Sequence, residues 1–427
     1  MVRATNRYFK FDWITIILFF LLVGFGWLNI LSASHSGGTI NYFDFSQSYG
    51  KQLLFIFLTF GIIILLLAID AKFYERFASI IYMISILSLL GLFIFGKTVN
   101  GATSWYAIGS MTIQPSEFAK AATALAVAKY ISDLNTNISN FKDQIRTILI
   151  ILVPALLVIL QNDTGSTIVY GTFFFVLYRE GLPKYYLFIA LSVVLIFILS
   201  LKFGAIITSV IASVLIFILH FLNKKRLKIL PTLAIILGTI TMCFGVKYAY
   251  ESGNVLKPHQ KDRITIWLSL EKDPEVLEKM KRTIAYNLNE SEKAISSGGF
   301  FGKGFMEGTR TTGKFVPKQH TDYIFSTVGE EWGFIGSAFV VIVFVLLLLR
   351  ILHLAELQKT QFSRVYGYSV AAIIFIHFFI NIGMVMGIIP TIGIPLPLFS
   401  YGGSGLWAFT ILIFIFIKLD SNKINEW

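Results

Sequence analysis

The chain has 427 residues, of which 56% are hydrophobic and only 14% charged, with a mean hydropathy of +0.73. Soluble domains do not reach this balance, whereas helical membrane proteins do. A net charge of +12 could suggest a nucleic-acid partner, but the basic residues collect in short loops between apolar runs, which excludes that class. The single cysteine, Cys243, lies in an apolar run, so we expect neither a disulfide framework nor a thiolate metal site.

About twelve apolar runs of membrane-spanning length follow one another along the chain. The first follows a basic N-terminus and lacks a small-residue cleavage site, so it is predicted to be a retained span rather than a signal peptide. The sequence therefore predicts an all-α polytopic membrane protein with about twelve transmembrane helices. The runs fall at 12–34, 52–69, 77–96, 115–131, 145–161, 165–180, 184–201, 204–222, 229–250, 322–350, 365–389 and 403–419.

Every second loop between these runs is rich in lysine and arginine, and such loops stay on the cytoplasmic side. Both termini are therefore predicted to be cytoplasmic. The opposite, outer face carries all the unusual polar sequence. Its loops are 35–51, 97–114, 251–321 and 390–402.

The long outer loop 251–321 contains two local patterns. Apolar residues at helical spacing between Val276 and Leu288 predict an amphipathic helix lying on the membrane surface. The glycine-rich segment 296–304 predicts a break in that helix and a flexible backbone.

Asp322 lies in the polar segment 315–331 and directly precedes a strongly apolar run. An ionisable side chain at the membrane surface is costly unless it has a partner or a function. Partial removal from water raises the pKa of a carboxylate, which suits a general base. Capping of the next helix by Thr321 or Asp322 is the simpler alternative. The neighbouring His320 either orients a substrate or has no role.

Basic residues dominate the end of the outer loop. Between residues 302 and 318, four basic side chains accompany one acidic side chain. This balance suits an anionic lipid headgroup, although a solvated loop would look the same. The basic residues are Lys303, Arg310, Lys314 and Lys318, and the acidic one is Glu307.

Three further polar groups lie near the predicted outer ends of spans. Glu117 and Lys120 are three residues apart on one helical face, so they predict an ion pair that is either structural or lines a cavity. Asp163 lies in a tight turn, where it supports the turn or meets a cation or Lys120. Trp105 lies in another turn, at the membrane interface. The segment 390–405, with three prolines, is typical of a broken helix covered by protein.

Four motifs occur in a fixed order: Gln114-Pro-Ser-Glu117, His320-Thr-Asp-Tyr-Ile-Phe325, Gly329-Glu-Glu331 and Pro397-Leu-Phe-Ser-Tyr-Gly-Gly403. Together they resemble the SEDS family of cell-wall glycosyltransferases, also called the RodA/FtsW family. The resemblance covers nearly the whole chain. The segment Ser297–Thr309 is similar to the branch of the family that acts in cell elongation.

This resemblance implies a peptidoglycan glycosyltransferase that polymerises lipid II, a disaccharide-peptide on undecaprenyl pyrophosphate, outside the bacterial cytoplasmic membrane. It implies that Asp322 is the catalytic base, or alternatively a carboxylate that binds a divalent cation, Mg²⁺ or Mn²⁺. The implied partners are lipid II, membrane lipid and a class B penicillin-binding protein, a transpeptidase. The candidate substrate-binding residues, from the resemblance and the patterns above, are Glu117, Lys120, Asp163, Arg263, Lys303, Lys318, His320 and Trp105.

The chain departs from the family pattern in three places. The family usually has ten spans, so residues 184–228 are predicted to be an extra helix pair within a single transmembrane domain. Asn162 stands where proline is common, and Ser104 where a basic residue often precedes Trp105. Two other functions remain open: a flippase or transporter of the lipid-linked precursor, and a non-enzymatic scaffold for a transpeptidase.

Overall fold

The computed structural model describes residues 11–35, 37, 39–99, 101–109, 111–222, 229–253, 257–271, 273–317 and 319–423. The chain divides into two compact units, each described here by itself. The first comprises Met1–Leu182, Glu290–Met386 and Ile392–Trp427, and the second comprises Pro183–Asn289 and Gly387–Thr391.

Ten helices in the described part of the chain are long and apolar enough to cross a membrane, which confirms the predicted all-α membrane fold. The other two predicted spans are also helical but shorter. The helices in chain order are α1 (Trp13–Ser34), α2 (Ser48–Ala68), α3 (Ala71–Phe95), α4 (Pro115–Ile131), α5 (Phe141–Leu160), α6 (Thr164–Tyr170), α7 (Phe173–Arg179), α8 (Tyr185–Phe203), α9 (Ala205–Leu222), α10 (Ile229–Glu251), α11 (Pro258–Leu268), α12 (Pro274–Thr283), α13 (Tyr286–Ser297), α14 (Thr309–Thr312), α15 (Ile324–Glu356), α16 (Gln361–Val385) and α17 (Gly403–Asn422).

The predicted span 165–180 is divided into two seven-residue helices, α6 and α7. At the junction, the backbone N–H groups of Gly171 and Thr172 donate to carbonyl oxygens three residues back, at 3.0 Å each. This tighter turn ends the regular helix, because an α-helical bond runs to the fourth residue back.

Helix α4 lies in the core of the first unit, where it packs against α3, α5, α16 and α17. Its sequence is rich in alanine, and small residues let helix backbones approach closely in membrane proteins. Ala119, Ala124 and Ala128 are fully buried. The polar residues that α4 carries at its N-terminal end are therefore buried with it.

A three-stranded antiparallel sheet occupies the loop between α3 and α4, a predicted outer loop in which the sequence indicated only a turn. Its strands are β1 (Lys97–Val99), β2 (Ala102–Ile108) and β3 (Met111–Ile113), in the order β1-β2-β3. Trp105 pairs with Lys97, and Tyr106 pairs with Ile113. The Tyr106 hydroxyl donates to the Ser88 carbonyl at 2.7 Å, which ties the sheet to α3.

In the second unit, α8, α9 and α10 pack against one another. Small polar side chains join them: the Ser200 hydroxyl donates to the Cys243 carbonyl at 3.0 Å, and Thr232 and His220 are hydrogen-bonded at 2.8 Å. Helices α8 and α9 coincide with the predicted extra pair, except for residues 223–228, which lie outside the described part of the chain.

The described residues of the long loop 251–321, which is predicted to be an outer loop, are more ordered than the sequence suggested. Its amphipathic stretch forms α12 and the start of α13, and none of the α12 side chains is buried. The prediction of a flexible backbone at 296–304 is wrong, because α15 fixes this segment. The N–H groups of Lys303 and Gly304 donate to the carbonyls of Glu330 and Glu331, both at 3.0 Å.

Candidate functional site

The backbone before α15 is held against the proline-rich segment that precedes α17. The Tyr401 N–H donates to the His320 carbonyl at 2.9 Å, and the Ser400 hydroxyl donates to the Thr321 carbonyl at 2.6 Å. Residues 390–396 are not helical, as predicted for a broken segment, and Phe399 is fully buried. The two segments therefore support each other.

Asn381 on α16 holds the next residue, Asp322. Its side-chain amide donates to the Asp322 carbonyl at 2.8 Å and to the Ile394 carbonyl at 2.7 Å. Gly393 has a φ of +84°, and a Cβ there would lie 3.4 Å from the Asp322 Oδ2. The N-cap residue of α15 is Tyr323, without a side-chain capping bond, so capping of this helix by Thr321 or Asp322 stays a prediction.

A pocket of about 270 Å³ opens beside this backbone. Its wall includes Thr321, the residue next to Asp322, together with Trp105 from β2 and Tyr401. Lys51, from the first turn of α2, lines the same pocket. The pocket thus combines aromatic surfaces, which suit a sugar ring, with a cation that suits a phosphate.

Lys51 and Tyr401 were not singled out from the sequence. Lys51 nevertheless gave a signal, because it is a lysine at the predicted outer end of a span, against the usual placement of positive charge. Tyr401 lay within a recognised motif, but nothing in its spacing indicated that it would share a pocket with Trp105.

His320 packs edge-on against Tyr401, with 5.3 Å between the ring centroids. Burial, and then the positive charge of Lys314, lower the pKa of His320 below its usual value of 6.5. Burial raises the pKa of the Tyr401 hydroxyl. Both side chains are therefore neutral near pH 7, so they can exchange hydrogen bonds but carry no charge.

Glu117 and Lys120 form the predicted ion pair, 2.7 Å from Oε2 to Nζ, but it is enclosed by protein. Lys120 is 2% exposed and Glu117 is 5% exposed. The Lys120 Nζ also lies 2.8 Å from the His377 Nε2 on α16 and 5.5 Å from the centre of the Phe409 ring on α17. The structure thus favours the structural alternative over a pair that lines an open cavity.

Asp163 is the N-cap of α6, with its Oδ1 accepting from the Ser166 N–H at 3.0 Å. Its Oδ2 accepts from the Gln114 side-chain amide at 2.8 Å, so it links two of the polar motifs. The expected alternative of a contact with Lys120 is replaced by these bonds. Asn162 has a φ of +64°, which asparagine tolerates and which proline cannot adopt. The local turn therefore explains the departure from proline at this position.

Lys303 is engaged with a buried carboxylate. Its Nζ lies 2.7 Å from the Oε1 of Glu330, which is fully buried on α15. The same carboxylate accepts from the N–H groups of Arg310 and Thr311, at 2.9 and 2.8 Å. The Arg310 guanidinium in turn pairs with Glu290. Two basic residues of the predicted anion-binding loop are thus used to fix the loop itself.

Arg263 belongs to the second unit. Its Nη1 donates to the Thr391 carbonyl at 2.8 Å, and the Trp267 indole donates to the Ile388 carbonyl at 2.9 Å. These bonds hold the 387–391 segment onto α11. Lys318, the remaining predicted binding residue, lies outside the described residues.

Asp322 is also the candidate ligand for a divalent cation. Within the described ranges, no group of three or more histidine, cysteine, aspartate or glutamate side chains could hold a metal by itself. Mg²⁺ is commonly bound by only one or two carboxylates together with substrate phosphates and water. A single carboxylate therefore fits a cation brought in by a pyrophosphate, and does not fit a permanently bound metal.

Comparison with known proteins identifies the family of the chain. The family model described as "Cell cycle protein" (FtsW, RodA and SpoVE) matches residues 12–207 and 186–425. The chain belongs to this family. It is 31% identical to the peptidoglycan glycosyltransferase RodA of Treponema pallidum, over 97% of this chain and 98% of the relative. It is 32% identical to the peptidoglycan glycosyltransferase MrdB of Escherichia coli, over 81% of this chain and 78% of the relative.

Solved structures share the fold of this family member. A chain from a study of how a peptidoglycan synthase complex coordinates polymerisation and crosslinking superposes with a TM-score of 0.72, at 22% identity, covering 98% of this chain and all of that one. RodA of Thermus thermophilus gives a TM-score of 0.62, also at 22% identity, covering 97% and 98% of the two chains. The ten apolar helices and these relatives together identify a multi-pass bacterial membrane protein.

Proposed function

We propose that the chain polymerises lipid II into glycan strands for cell-wall elongation, with Asp322 as the catalytic base. Its near-full-length relatives are named for the activity, and the chain is a peptidoglycan glycosyltransferase. One observation carries the assignment of the site. The backbone of residues 320–322 is fixed by hydrogen bonds from the proline-rich segment to His320 and Thr321 and from α16 to Asp322, directly beside a pocket with aromatic and cationic walls.

In the proposed reaction, the Asp322 carboxylate takes the proton from a hydroxyl of the acceptor sugar. The hydroxyl oxygen attacks the anomeric carbon of the growing glycan, and the bond from that carbon to undecaprenyl pyrophosphate breaks. The pyrophosphate leaves with the bonding electrons. Because pyrophosphate already carries negative charge well, the enzyme mainly needs to position the reactants, remove one proton and compensate charge.

The residues proposed to compensate the negative charge of the pyrophosphate differ from those predicted from the sequence. Lys51 lines the pocket and is suited to the leaving pyrophosphate, whereas Lys120 and Lys303 are held by carboxylates inside the protein. In the alternative role of Asp322, as a metal-binding carboxylate, a divalent cation held by it and by the pyrophosphate would supply further positive charge. Trp105 and Tyr401 are suited to stacking on a sugar ring, and the neutral His320 to accepting or donating a hydrogen bond.

Glu117, Lys120 and Asp163 are proposed as positioning residues rather than direct substrate contacts. Lys120, which is paired with Glu117, bonds to His377 and so joins α4 to α16, and Asp163 holds Gln114 at the N-terminal end of α4. This arrangement fixes the start of α4. Thr112 of β3 lines the pocket and lies shortly before the first residue of α4 in the chain, so the position of α4 affects this wall.

The orientation is part of the proposal. Basic loops on alternate sides of the spans favour cytoplasmic termini and an active site at the outer face. A class B penicillin-binding protein is the proposed partner, since crosslinking of the peptide stems requires a transpeptidase. A flippase would need a polar path through the bundle, whereas the buried Glu117–Lys120 pair is enclosed by protein, which favours the polymerase.

The test is synthesis of glycan from purified lipid II by Asp322→Asn, followed on gels with and without Mg²⁺. Loss of a general base lowers rates by about 10²–10⁴-fold, so we expect no visible polymer. Asp44→Asn is the matched control, because Asp44 lies in another predicted outer loop and bonds to its neighbour Ser46. A folded Asp322→Asn protein that makes polymer at the rate of the control would contradict the proposal.

A further inference from the structure

A cavity of about 880 Å³ lies within the second unit, and none of its lining residues is assigned above to the reaction. It forms where the end of α8, the start of α9 and the ends of α10 and α11 meet. Cavities of this size accommodate molecules of several hundred daltons. The charge distribution along the sequence assigns this end of the helices to the outer side of the membrane.

Part of the cavity wall is apolar, and Ser200, Glu251 and Ser269 also line it. Phe203, Ile206 and Ile207 are each more than half exposed, so their side chains are available to a ligand. Phe203 ends α8, and Ile206 and Ile207 lie in the first turn of α9, where the two predicted spans should reach the membrane surface. An apolar wall at this depth is suited to the upper part of an acyl chain.

The rim of the cavity is basic. Lys202 and Lys247 both line it, one turn or less from the ends of α8 and α10. The Lys247 Nζ lies 3.9 Å from a Glu251 carboxylate oxygen, at the limit of an ion pair, and both side chains are about half exposed. Within the described residues, no carboxylate forms an ion pair with Lys202. The positive charge of Lys202 and Lys247 is therefore only partly compensated by carboxylates.

A third lysine lies close to the same rim. The Lys261 Nζ is 4.9 Å from the centre of the Tyr250 ring, and Tyr250 is itself a lining residue. The Tyr250 hydroxyl is hydrogen-bonded to Thr265 at 2.6 Å, which fixes the ring. Lys202 and Lys247 thus line the cavity together with Glu251, and Lys261 lies next to the lining residue Tyr250.

We propose that this cavity binds an anionic glycerophospholipid of the surrounding membrane, of the phosphatidylglycerol type. The phosphate would lie between Lys202 and Lys247, and an acyl chain would lie against Phe203, Ile206 and Ile207. A zwitterionic lipid fits less well, because its own ammonium would face the lysines. Free phosphate lacks the acyl chain that the apolar walls would contact.

The alternative is that the lysines simply extend toward water from the ends of their helices, as long basic side chains commonly do in membranes. That arrangement attracts anionic lipid only in a general way, and any pair of surface lysines would do the same. The two possibilities differ in whether these particular lysines determine lipid selectivity.

The experiment is native mass spectrometry of the full chain, released from mixed vesicles of phosphatidylglycerol and phosphatidylcholine with identical acyl chains. We expect the wild-type chain to retain phosphatidylglycerol preferentially. The double variant Lys202→Gln/Lys247→Gln should lower that retention about fivefold per lysine, the effect of one cation near an anionic headgroup. Lys202→Arg/Lys247→Arg keeps both charges and should preserve it.

The matched control is Lys279→Gln/Lys281→Gln on α12, which removes the same charge from another surface of the same unit. Thermal unfolding in detergent checks that all variants are folded. Equal retention of the two lipids by the wild-type chain would overturn the proposal. So would an equal loss of phosphatidylglycerol in the control variant, or its displacement by inorganic phosphate at matched concentration.

Discussion

Lys120 illustrates at the scale of one residue how a buried cation is tied to its surroundings. Its ammonium lies between the Glu117 carboxylate and the His377 ring, with the Phe409 ring nearby. The sequence predicted the pair with Glu117, because three residues on a helix bring side chains to one face. It could not predict His377, which is 257 positions away and reaches Lys120 only after α16 has packed against α4.

Removing the lysine alone should be strongly destabilising. Lys120→Met leaves the Glu117 carboxylate buried without its cation, which typically costs about 3–5 kcal/mol. The double variant Glu117→Gln/Lys120→Met removes both charges and should unfold closer to the wild-type temperature than Lys120→Met does. Thermal unfolding in detergent measures both, and glycan synthesis by the folded double variant tests whether the pair is structural.

The control on the same helix is Lys129→Met. Lys129 pairs with Glu75 at 3.4 Å, but both side chains are about 40% exposed, so the loss should be about 1 kcal/mol or less. If Lys120→Met and Lys129→Met unfolded at the same temperature, the buried pair would not have the structural role assigned here. A stable but inactive Lys120→Met protein would instead indicate direct substrate contact.

At the scale of elements, glycines allow the predicted outer loop to pack directly against α15. Gly333 has a φ of +62° and interrupts the regular helix near its start. A Cβ there would lie 2.3 Å from the Gly302 nitrogen and 2.8 Å from the Phe300 carbonyl oxygen. The glycine-rich segment therefore lies directly on α15 because neither side has a side chain between the two backbones.

Gly333→Ala should consequently lower stability by at least about 2 kcal/mol, since the backbone conformation is unfavourable for alanine and the contact is too close. The matched control is Gly238→Ala within α10, where no atom lies within 4 Å of the added methyl group. That change should be neutral or stabilising by about 0.5–1 kcal/mol. Thermal unfolding compares the two, and equal melting temperatures would refute this account of the loop.

The elements that the sequence missed are those governed by backbone contacts rather than hydropathy. The long spans were predicted within a few residues because apolar length alone specifies them. The sheet β1–β3 is too short for alternation to stand out, and its strands are held by one another and by α3. The division of α6 from α7 at Gly171 depends on a local turn that leaves no change in apolar character.

At the scale of the whole molecule, the family motifs come from three distant regions of the chain, and no distance between these regions can be read from the sequence. Their order supported the family, while the pocket that joins Trp105, Lys51 and Tyr401 became visible only once β2, α2 and the proline-rich segment were in place. Lys303 has a charge that would suit a substrate contact, but its ammonium is paired with the buried Glu330 carboxylate on α15.

The predicted orientation can be tested with single cysteines. Cys243 is fully buried, so the wild-type chain should not react with a membrane-impermeant maleimide. Glu307→Cys, in the long loop, should be labelled on intact cells. Leu134→Cys replaces a fully exposed residue in the loop between α4 and α5, and should be labelled only after the cells are opened. Labelling in the reverse pattern would place Asp322 in the cytosol and exclude the proposed reaction.

The forked amide of Asn381 has a mechanical consequence. This one side chain of α16 donates hydrogen bonds to the loop segment that contains Asp322 and to the segment that contains Ile394. A tilt or translation of α16 would move both segments together. Their contacts with each other would be kept, while their distance from Trp105 on the pocket wall would change. The distance between the proposed base, Asp322, and the proposed sugar-stacking residue, Trp105, would therefore depend on the position of α16.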